Sequence, residues 1–159
     1  MMTRSPITHA GFASLAALGS LISLAAITSS PAVAQQPGAS FSLTVTQLSS
    51  TNGQLIVCLF REKADFPECE EGDGTWRRTY PITGATTRIQ VPLPAAGNYA
   101  VTVFHDENRN GRLGQNFIGM PTEGVGVSGN PGGMPRYARS QVPLAAGSTI
   151  TIQMRYLFD

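Results

Sequence analysis

The sequence predicts an all-β domain, an antiparallel β-sandwich of about seven strands, on three observations. Apolar and polar residues alternate in several short segments, as in strands that bury one face. Turn-forming residues, with 17 glycines and 11 prolines in the chain, separate these segments. Beyond residue 34 no apolar pattern of helical period extends past a turn or two. Short strands joined by frequent turns are typical of two sheets packed face to face.

The first 34 residues have the features of a secretory signal peptide. A short head with Arg4 and His9 precedes an apolar run over residues 11–27, and the small residues Ala32 and Ala34 follow it. A run of about 17 residues diluted by glycine and serine is short for a membrane span. We therefore expect cleavage before Gln35, no membrane span afterwards, and a periplasmic or secreted product.

The mature chain is expected to form one domain. A flexible leader over residues 35–40 would precede a single sandwich domain over 41–157, because about 125 residues suffice for one core and leave little for a second. Without Arg4 the chain has ten Lys and Arg residues against ten Asp and Glu residues. A net charge near zero with no basic stripe argues against nucleic acid and acidic membrane surfaces as partners. We expect a monomer.

Six segments carry strand patterns: residues 41–46, 54–60, 86–93, 98–105, 139–144 and 149–156. Asn52-Gly53 is a hairpin signal that predicts pairing of the first two strands. The second strand is apolar on both faces, so we place it centrally with its second face covered. The long stretches 61–80 and 106–134 are expected to be loops.

Cys58 and Cys69 are the two cysteines of the chain. In an exported protein a disulfide between them is the default expectation. The alternative, a pair of metal-binding thiolates, has little support, since the spacing matches no zinc signature and His105 is the only histidine after residue 34.

The segment 106–113 has the front half of an EF-hand-like calcium loop. Oxygen-bearing side chains occupy its first, third and fifth positions, and glycine occupies the sixth. The ninth and twelfth positions, Gly114 and Phe117, lack the expected polar and acidic groups, which Asn116 and Glu123 could replace. The candidate calcium ligands are Asp106, Asn108, Asn110, Arg112 through its carbonyl, and Glu123. The alternative is a turn whose Asn and Asp side chains cap their own backbone.

His105 is the main candidate for catalysis. It continues the inward phase of the preceding strand, so it either completes the rim of the core by bonding a loop carbonyl or orients the adjacent loop. The neighbouring Asp106 should point to the opposite face, which prevents a dyad. We predict a non-enzyme, with a periplasmic hydrolase around His105 as the alternative. Trp76, Tyr80 and Tyr137 either cover the core or form an aromatic face for a glycan or peptide.

Several motifs together resemble a bacterial family, domain of unknown function 2141. They lie in residues 53–57, 97–108, 110–113, 116–121 and 123–126, and the run His-Asp-x-Asn-x-Asn-Gly is the most specific of them. The resemblance implies an exported, small protein without an assigned activity, with an immunoglobulin-like or transthyretin-like sandwich similar to carboxypeptidase regulatory domains. Many relatives carry an acidic residue where this chain has Gly114, so the resemblance supports a metal site less strongly here. The sequence therefore predicts a non-catalytic binding or structural module of the cell envelope, with an envelope protein, peptide or glycan as partner.

Overall fold

The computed structural model describes residues 38–70 and 76–158. The predicted signal peptide over 1–34 and the first half of the predicted leader lie outside the described residues. Within the described ranges the chain forms eight strands and one short helix: β1 Ser40–Thr46, β2 Gln54–Phe60, β3 Trp76–Tyr80, β4 Thr87–Pro92, β5 Gly97–Asp106, β6 Val125–Val127, α1 Tyr137–Ser140, β7 Gln141–Leu144 and β8 Thr149–Gln153. The all-β prediction is confirmed.

The strands form two sheets. The smaller sheet has the order β4-β1-β8, and the larger one has the order β3-β2-β5 with β6 and β7 side by side along the free edge of β5. All pairings between these strands are antiparallel except β1 with β8, which is parallel. Just past β8, Arg155 exchanges two backbone hydrogen bonds with Val125 of β6, at 2.8 and 2.9 Å. These hydrogen bonds connect the two sheets along one side.

One apolar core lies between the sheets. The alternating residues predicted to point inward in β1, Phe41, Leu43 and Val45, are fully buried in it. Each strand with this period-two pattern turns the same phase to the core and leaves its polar residues in solvent. The larger sheet contributes Leu55, Val57, Leu59, Tyr99, Val101 and Val103, and the smaller sheet adds Ile89, Val91 and Ile152.

The second face of β2 is covered, as its two-sided apolar sequence predicts. Cys58 and Phe60 point away from the core and pack with Ala100 of β5. The disulfide between Cys58 and Cys69 holds the segment after β2 over this face. Within that segment the ring of Phe66 meets Phe60 edge-on at 5.5 Å. The disulfide prediction is confirmed, and the bond secures a second, smaller apolar cluster outside the main core.

The predicted β1–β2 hairpin is wrong. β1 pairs with β4 and β8, whereas β2 pairs with β3 and β5 in the other sheet. Gly53 does have the positive φ of +73° that a tight turn needs, but here it lets the chain cross between sheets. A Cβ on Gly53 would lie 2.1 Å from the carbonyl oxygen of Asp106. Glycine at this position therefore permits close packing of two backbones.

The two predicted loops each contain a strand. β3 occupies the end of the 61–80 stretch, and the three-residue β6 lies within 106–134. The sequence of β3, Trp-Arg-Arg-Thr-Tyr, has little apolar alternation because β3 is an edge strand that is only half covered. The strand expected from residue 139 begins at Gln141, since residues 137–140 form the single turn α1.

Candidate functional site

Asp106 ends β5 and is fully buried at the start of the candidate calcium loop. Its Oδ1 accepts the backbone N–H of Asn110 at 3.0 Å, and its Oδ2 accepts that of Gly111 at 2.9 Å. The side-chain amide of Gln54 donates to the same Oδ2 at 2.8 Å. A carboxylate offers about four acceptor positions, so these three donors leave little free capacity.

The two asparagines of the loop also bond to the backbone nearby. Oδ1 of Asn108 accepts the N–H of Asn110 at 2.9 Å, and Oδ1 of Asn110 accepts the N–H of Arg112 at 2.8 Å. Each is the short-range bond that Asn makes to the backbone two residues on. Gly111, at the sixth position, adopts φ +76°, which favours glycine. The guanidinium of Arg77 in β3 donates to the carbonyl of Gly111 and anchors the loop.

Glu123 is brought to this loop from beyond its end. Its side chain is 7% exposed, with Oε1 accepting the N–H of Glu107 at 3.2 Å and Oε2 that of Gly114 at 2.8 Å. One carboxylate thus bridges the beginning and the end of the loop. The side chain of Arg112, by contrast, is exposed. The described ranges contain no group of three or more His, Cys, Asp or Glu side chains arranged to hold a metal ion.

His105 is fully buried on the core side of β5. Its Nδ1 lies 2.8 Å from the hydroxyl of Tyr156, and its Nε2 lies 2.7 Å from the carbonyl oxygen of Asn52. The Tyr156 hydroxyl also accepts the N–H of Ser49 at 3.1 Å. Both ring nitrogens are therefore engaged in contacts that tie β5 to the β1–β2 connection and to the chain after β8. The predicted bond to a loop carbonyl is confirmed.

The aromatic residues do not form one face. Trp76 and Tyr80 pack against the main core, whereas Tyr137 packs on the opposite side of the larger sheet. The Tyr80 hydroxyl is buried and has no hydrogen-bond partner among the residues that the structure describes. Burial raises the pKa of this phenol above its usual value, and the nearby positive charge of Arg78 partly offsets the effect. The prediction that these residues cover a core is confirmed, on two different sides of the sheet.

A groove of about 1280 Å³ runs over the outer face of the larger sheet. Its floor includes Phe104 of β5 and Val125 and Val127 of β6. Three loop segments form its walls: residues 67–70 after the disulfide-tethered turn, 110–121 after β5, and 130–135 before α1. The loop predicted to carry a cation is therefore one wall of a much larger concave surface.

Large exposed apolar side chains lie in this groove and in segments that adjoin it in sequence. In the described part of the chain five such residues stand out, namely Phe117, Ile118, Met134, Leu157 and Phe158. Met134 and Leu157 line the groove, Phe117 and Ile118 immediately precede the lining residue Gly119, and Phe158 follows Leu157. Phe117 is 98% exposed and Met134 is 81% exposed. An apolar surface concentrated in one place is typical of an interaction site.

Charged side chains of both signs surround the apolar lining. Glu68 and Glu70 come from the segment attached through Cys69 to β2. Arg155 comes from the segment that pairs with β6, and Arg112 from the loop after β5. With two acidic and two basic lining residues, the groove has no net charge.

Two residues that complete these contacts were not identified from the sequence. Gln54 reaches Asp106 because β2 pairs with β5 in a register that places these two residues opposite each other. Tyr156 reaches His105 from 51 residues away. The β2–β5 pairing would have identified Gln54, since directly opposite residues share a face. No local signal in the sequence points to Tyr156.

None of the helices in the described ranges is long and apolar enough to cross a membrane.

Comparison with known proteins matches the chain to the family DUF2141, described as an uncharacterized protein conserved in bacteria, over residues 43–153. The same comparisons find no match among curated proteins and none among solved structures. The family match covers every strand except the first residues of β1, and it includes the loop after β5 and all the groove-lining residues except Arg155 and Leu157. The chain belongs to the bacterial family DUF2141.

Proposed function

We propose that this chain is a non-catalytic binding module of the bacterial cell envelope, and that its binding surface is the groove on the outer face of the larger sheet. The observation that carries the proposal is that the exposed apolar side chains Met134 and Leu157 line this groove, with the exposed Phe117 and Ile118 on a turn that adjoins its wall in sequence. Exposed apolar side chains in one concave place gain free energy when a partner removes them from water. The partner expected from the sequence is an envelope protein, a peptide or a glycan.

The bonding of the chemically active side chains supports a non-catalytic role. Both nitrogens of His105 and both oxygens of Asp106 and Glu123 already serve structural contacts. Both cysteines form the disulfide. A general base or nucleophile needs a free lone pair facing a substrate. The alternative, a hydrolase with its site around His105, would require a fully buried ring to leave two short contacts first.

The envelope location rests on the signal pattern over residues 1–34 and is consistent with the disulfide. Cell fractionation followed by amino-terminal sequencing tests it directly. We expect the protein in the periplasm or the medium, beginning at Gln35. Recovery of the uncleaved chain from the cytoplasm would contradict this part of the proposal.

For the loop over residues 106–113 we propose a structural role in place of the calcium site that its spacing predicts. Its oxygens close the loop through bonds to its own backbone amides, the alternative that the sequence leaves open. Glu123 bridges the loop ends in the same way. A loop closed like this holds one wall of the groove in place without an ion.

Site-specific photo-crosslinking in the native host tests the binding surface. A photoreactive phenylalanine at Met134 lies in the groove, and a matched control replaces the exposed Gln90 on the outer face of the smaller sheet. We expect a discrete crosslinked product from position 134 and none from position 90. Equal labelling from both faces, or no product from the groove, would contradict the proposed surface.

A further inference from the structure

We propose that the occupant of the groove is a second copy of this chain, bound about a two-fold axis so that the Phe117-Ile118 tip of each copy enters the groove of the other. This inference rests on the groove being the binding surface and names its partner. It replaces the monomer that the sequence favours. A protrusion and a cleft on the same face are the requirement for a self-complementary, closed contact.

The tip is a fixed turn that presents apolar side chains to solvent. Oδ1 of Asn116 accepts the N–H groups of Ile118 and Met120, at 3.1 and 3.0 Å. Backbone bonds of 2.9 Å also join Asn116 to Gly119 and to Met120. Phe117 and Ile118, 98% and 67% exposed, occupy the centre of this turn. A rigid turn holds them outward, so little conformational entropy is lost when a partner covers them.

The groove beside the tip is lined for an apolar guest. Gly119, Met120 and Pro121 follow the tip and form part of the lining, and Met134 and Leu157 contribute from other segments. Methionine side chains are flexible and polarisable, and they make favourable contacts with aromatic rings. The aromatic tip is thus adjacent in sequence to a methionine-containing cleft, since the lining residues Gln115 and Gly119 flank it on both sides.

The charges around the groove fit a two-fold pairing. Glu68 and Glu70 lie on the side of β2, and Arg155 lies on the side of β6, with β5 between them. A two-fold axis parallel to the strands turns the β2 side of one copy toward the β6 side of the other. Acidic residues of each copy then face a basic residue of its partner, and the neutral groove has no net repulsion against itself.

A specific interface of standard size buries roughly 800 Å² per partner. The surface of the groove is smaller than this, so the tip and the segments beside the groove must also take part in the contact. A membrane surface would meet the protruding tip and leave the cleft empty.

Sedimentation of the purified protein tests the oligomeric state over about 1 to 200 µM. We expect a concentration-dependent dimer. The substitutions Phe117→Ser and Ile118→Ser together should raise the dimer dissociation constant about 1000-fold, because each change is felt twice in a symmetric interface. At concentrations well below the wild-type dimer dissociation constant the melting temperature should stay unchanged, since both side chains are exposed in the monomer. A matched control, Gln90→Ser on the other sheet, should leave the dimer intact.

Charge reversal gives a second test that does not depend on the apolar tip. Glu70→Arg and Arg155→Glu should each weaken the dimer about tenfold by setting like charges opposite each other. A mixture of the two single variants should form heterodimers of near-normal affinity, and the double variant should form homodimers.

The outcomes separate this inference from the proposed function. A monomer at all concentrations, or a dimer that tolerates the tip and charge substitutions, overturns the second copy as occupant. If the protein is monomeric while position 134 still crosslinks to a different envelope protein, the groove remains a binding surface and only the identity of its partner is wrong. If neither is observed, both proposals fail.

Discussion

Replacing Asp106 by alanine tests whether the loop after β5 is stabilised by its own hydrogen bonds, without a bound ion. The substitution removes the acceptor of three donors: the N–H groups of Asn110 and Gly111 and the side-chain amide of Gln54. Asp106 is fully buried. Bulk water therefore cannot simply take its place as the hydrogen-bond acceptor of these donors. The C-terminal end of β5 and the groove wall that the following loop forms should both become less stable.

The magnitude follows from these contacts. A hydrogen bond to a charged group contributes about 1.5 to 3 kcal/mol, which for three bonds gives an upper range of roughly 5 to 9 kcal/mol. Removing a buried carboxylate also removes the cost of keeping it out of water, which is several kcal/mol. We therefore expect a net loss of about 3 kcal/mol, a large part of the 5 to 15 kcal/mol typical of a domain. Asn108→Ala, which removes one bond in an exposed position, should cost less than about 1 kcal/mol.

Urea unfolding of wild type, Asp106→Ala and Asn108→Ala, each in chelator and in about 5 mM calcium, gives the comparison. If the loop is structural, Asp106→Ala should lose the full stability of about 3 kcal/mol in chelator. The structural role also requires a wild-type stability that calcium leaves unchanged. A site with a dissociation constant of about 0.1 to 1 mM would instead add roughly 1 to 2 kcal/mol to the wild type at this calcium concentration. That gain, together with a loss in chelator below about 1 kcal/mol, would refute the reasoning and restore the calcium site.

Three further predictions concern the fold around the groove. Tyr80→Phe should be neutral or stabilising by about 1 kcal/mol, since it removes a buried hydroxyl that has no hydrogen-bond partner among the described residues. Because burial raises the pKa of Tyr80, its contribution to wild-type stability should fall as the pH rises through 10, so unfolding curves of the variant should show a smaller fall than those of the wild type. Replacing Cys58 and Cys69 by serine should lower the free energy of unfolding by about 2 to 3 kcal/mol and increase the binding of an apolar dye. A variant as stable as the wild type would contradict the stabilising role of the disulfide. Gly53→Ala should destabilise the protein by more than about 3 kcal/mol, because the new Cβ would collide with the backbone at Asp106. Gly84→Ala, whose Cβ would meet only an ordinary contact, should cost under about 1 kcal/mol. Similar melting temperatures for the two variants would contradict the close backbone packing at Gly53.

The disulfide and the second face of β2 show how far a local pattern can lead. A strand that is apolar on both faces needs cover on both, and an exported chain with two cysteines forms a bond between them. The structure supplies this cover with the segment around Phe66. The identity of the covering residue depended on where the disulfide places the segment, which the sequence does not state.

The proposed binding surface could not be predicted from the sequence. Phe117 and Met134 are ordinary apolar residues in a glycine-rich stretch, and no local pattern predicts that both are exposed or that Met134 lines a groove. Their neighbourhood depends on β6 pairing with β5 and on Arg155 returning to β6. Exposure is a property of the assembled sheets, so it has no signature in the spacing of residues along the chain.

The sequence by itself determined the strands with a clear alternation, the inward phase of His105 and the disulfide, and it left a calcium site and a self-capped turn as the two alternatives for the loop after His105. Each of these depends on residues a few positions apart, where chain geometry leaves few choices. Tertiary structure decided which strands are neighbours, that Asn52-Gly53 connects two sheets, and that Glu123 and Tyr156 complete contacts begun far away. Strand pairing depends on how all apolar faces close over one core at once, a condition that no single segment contains.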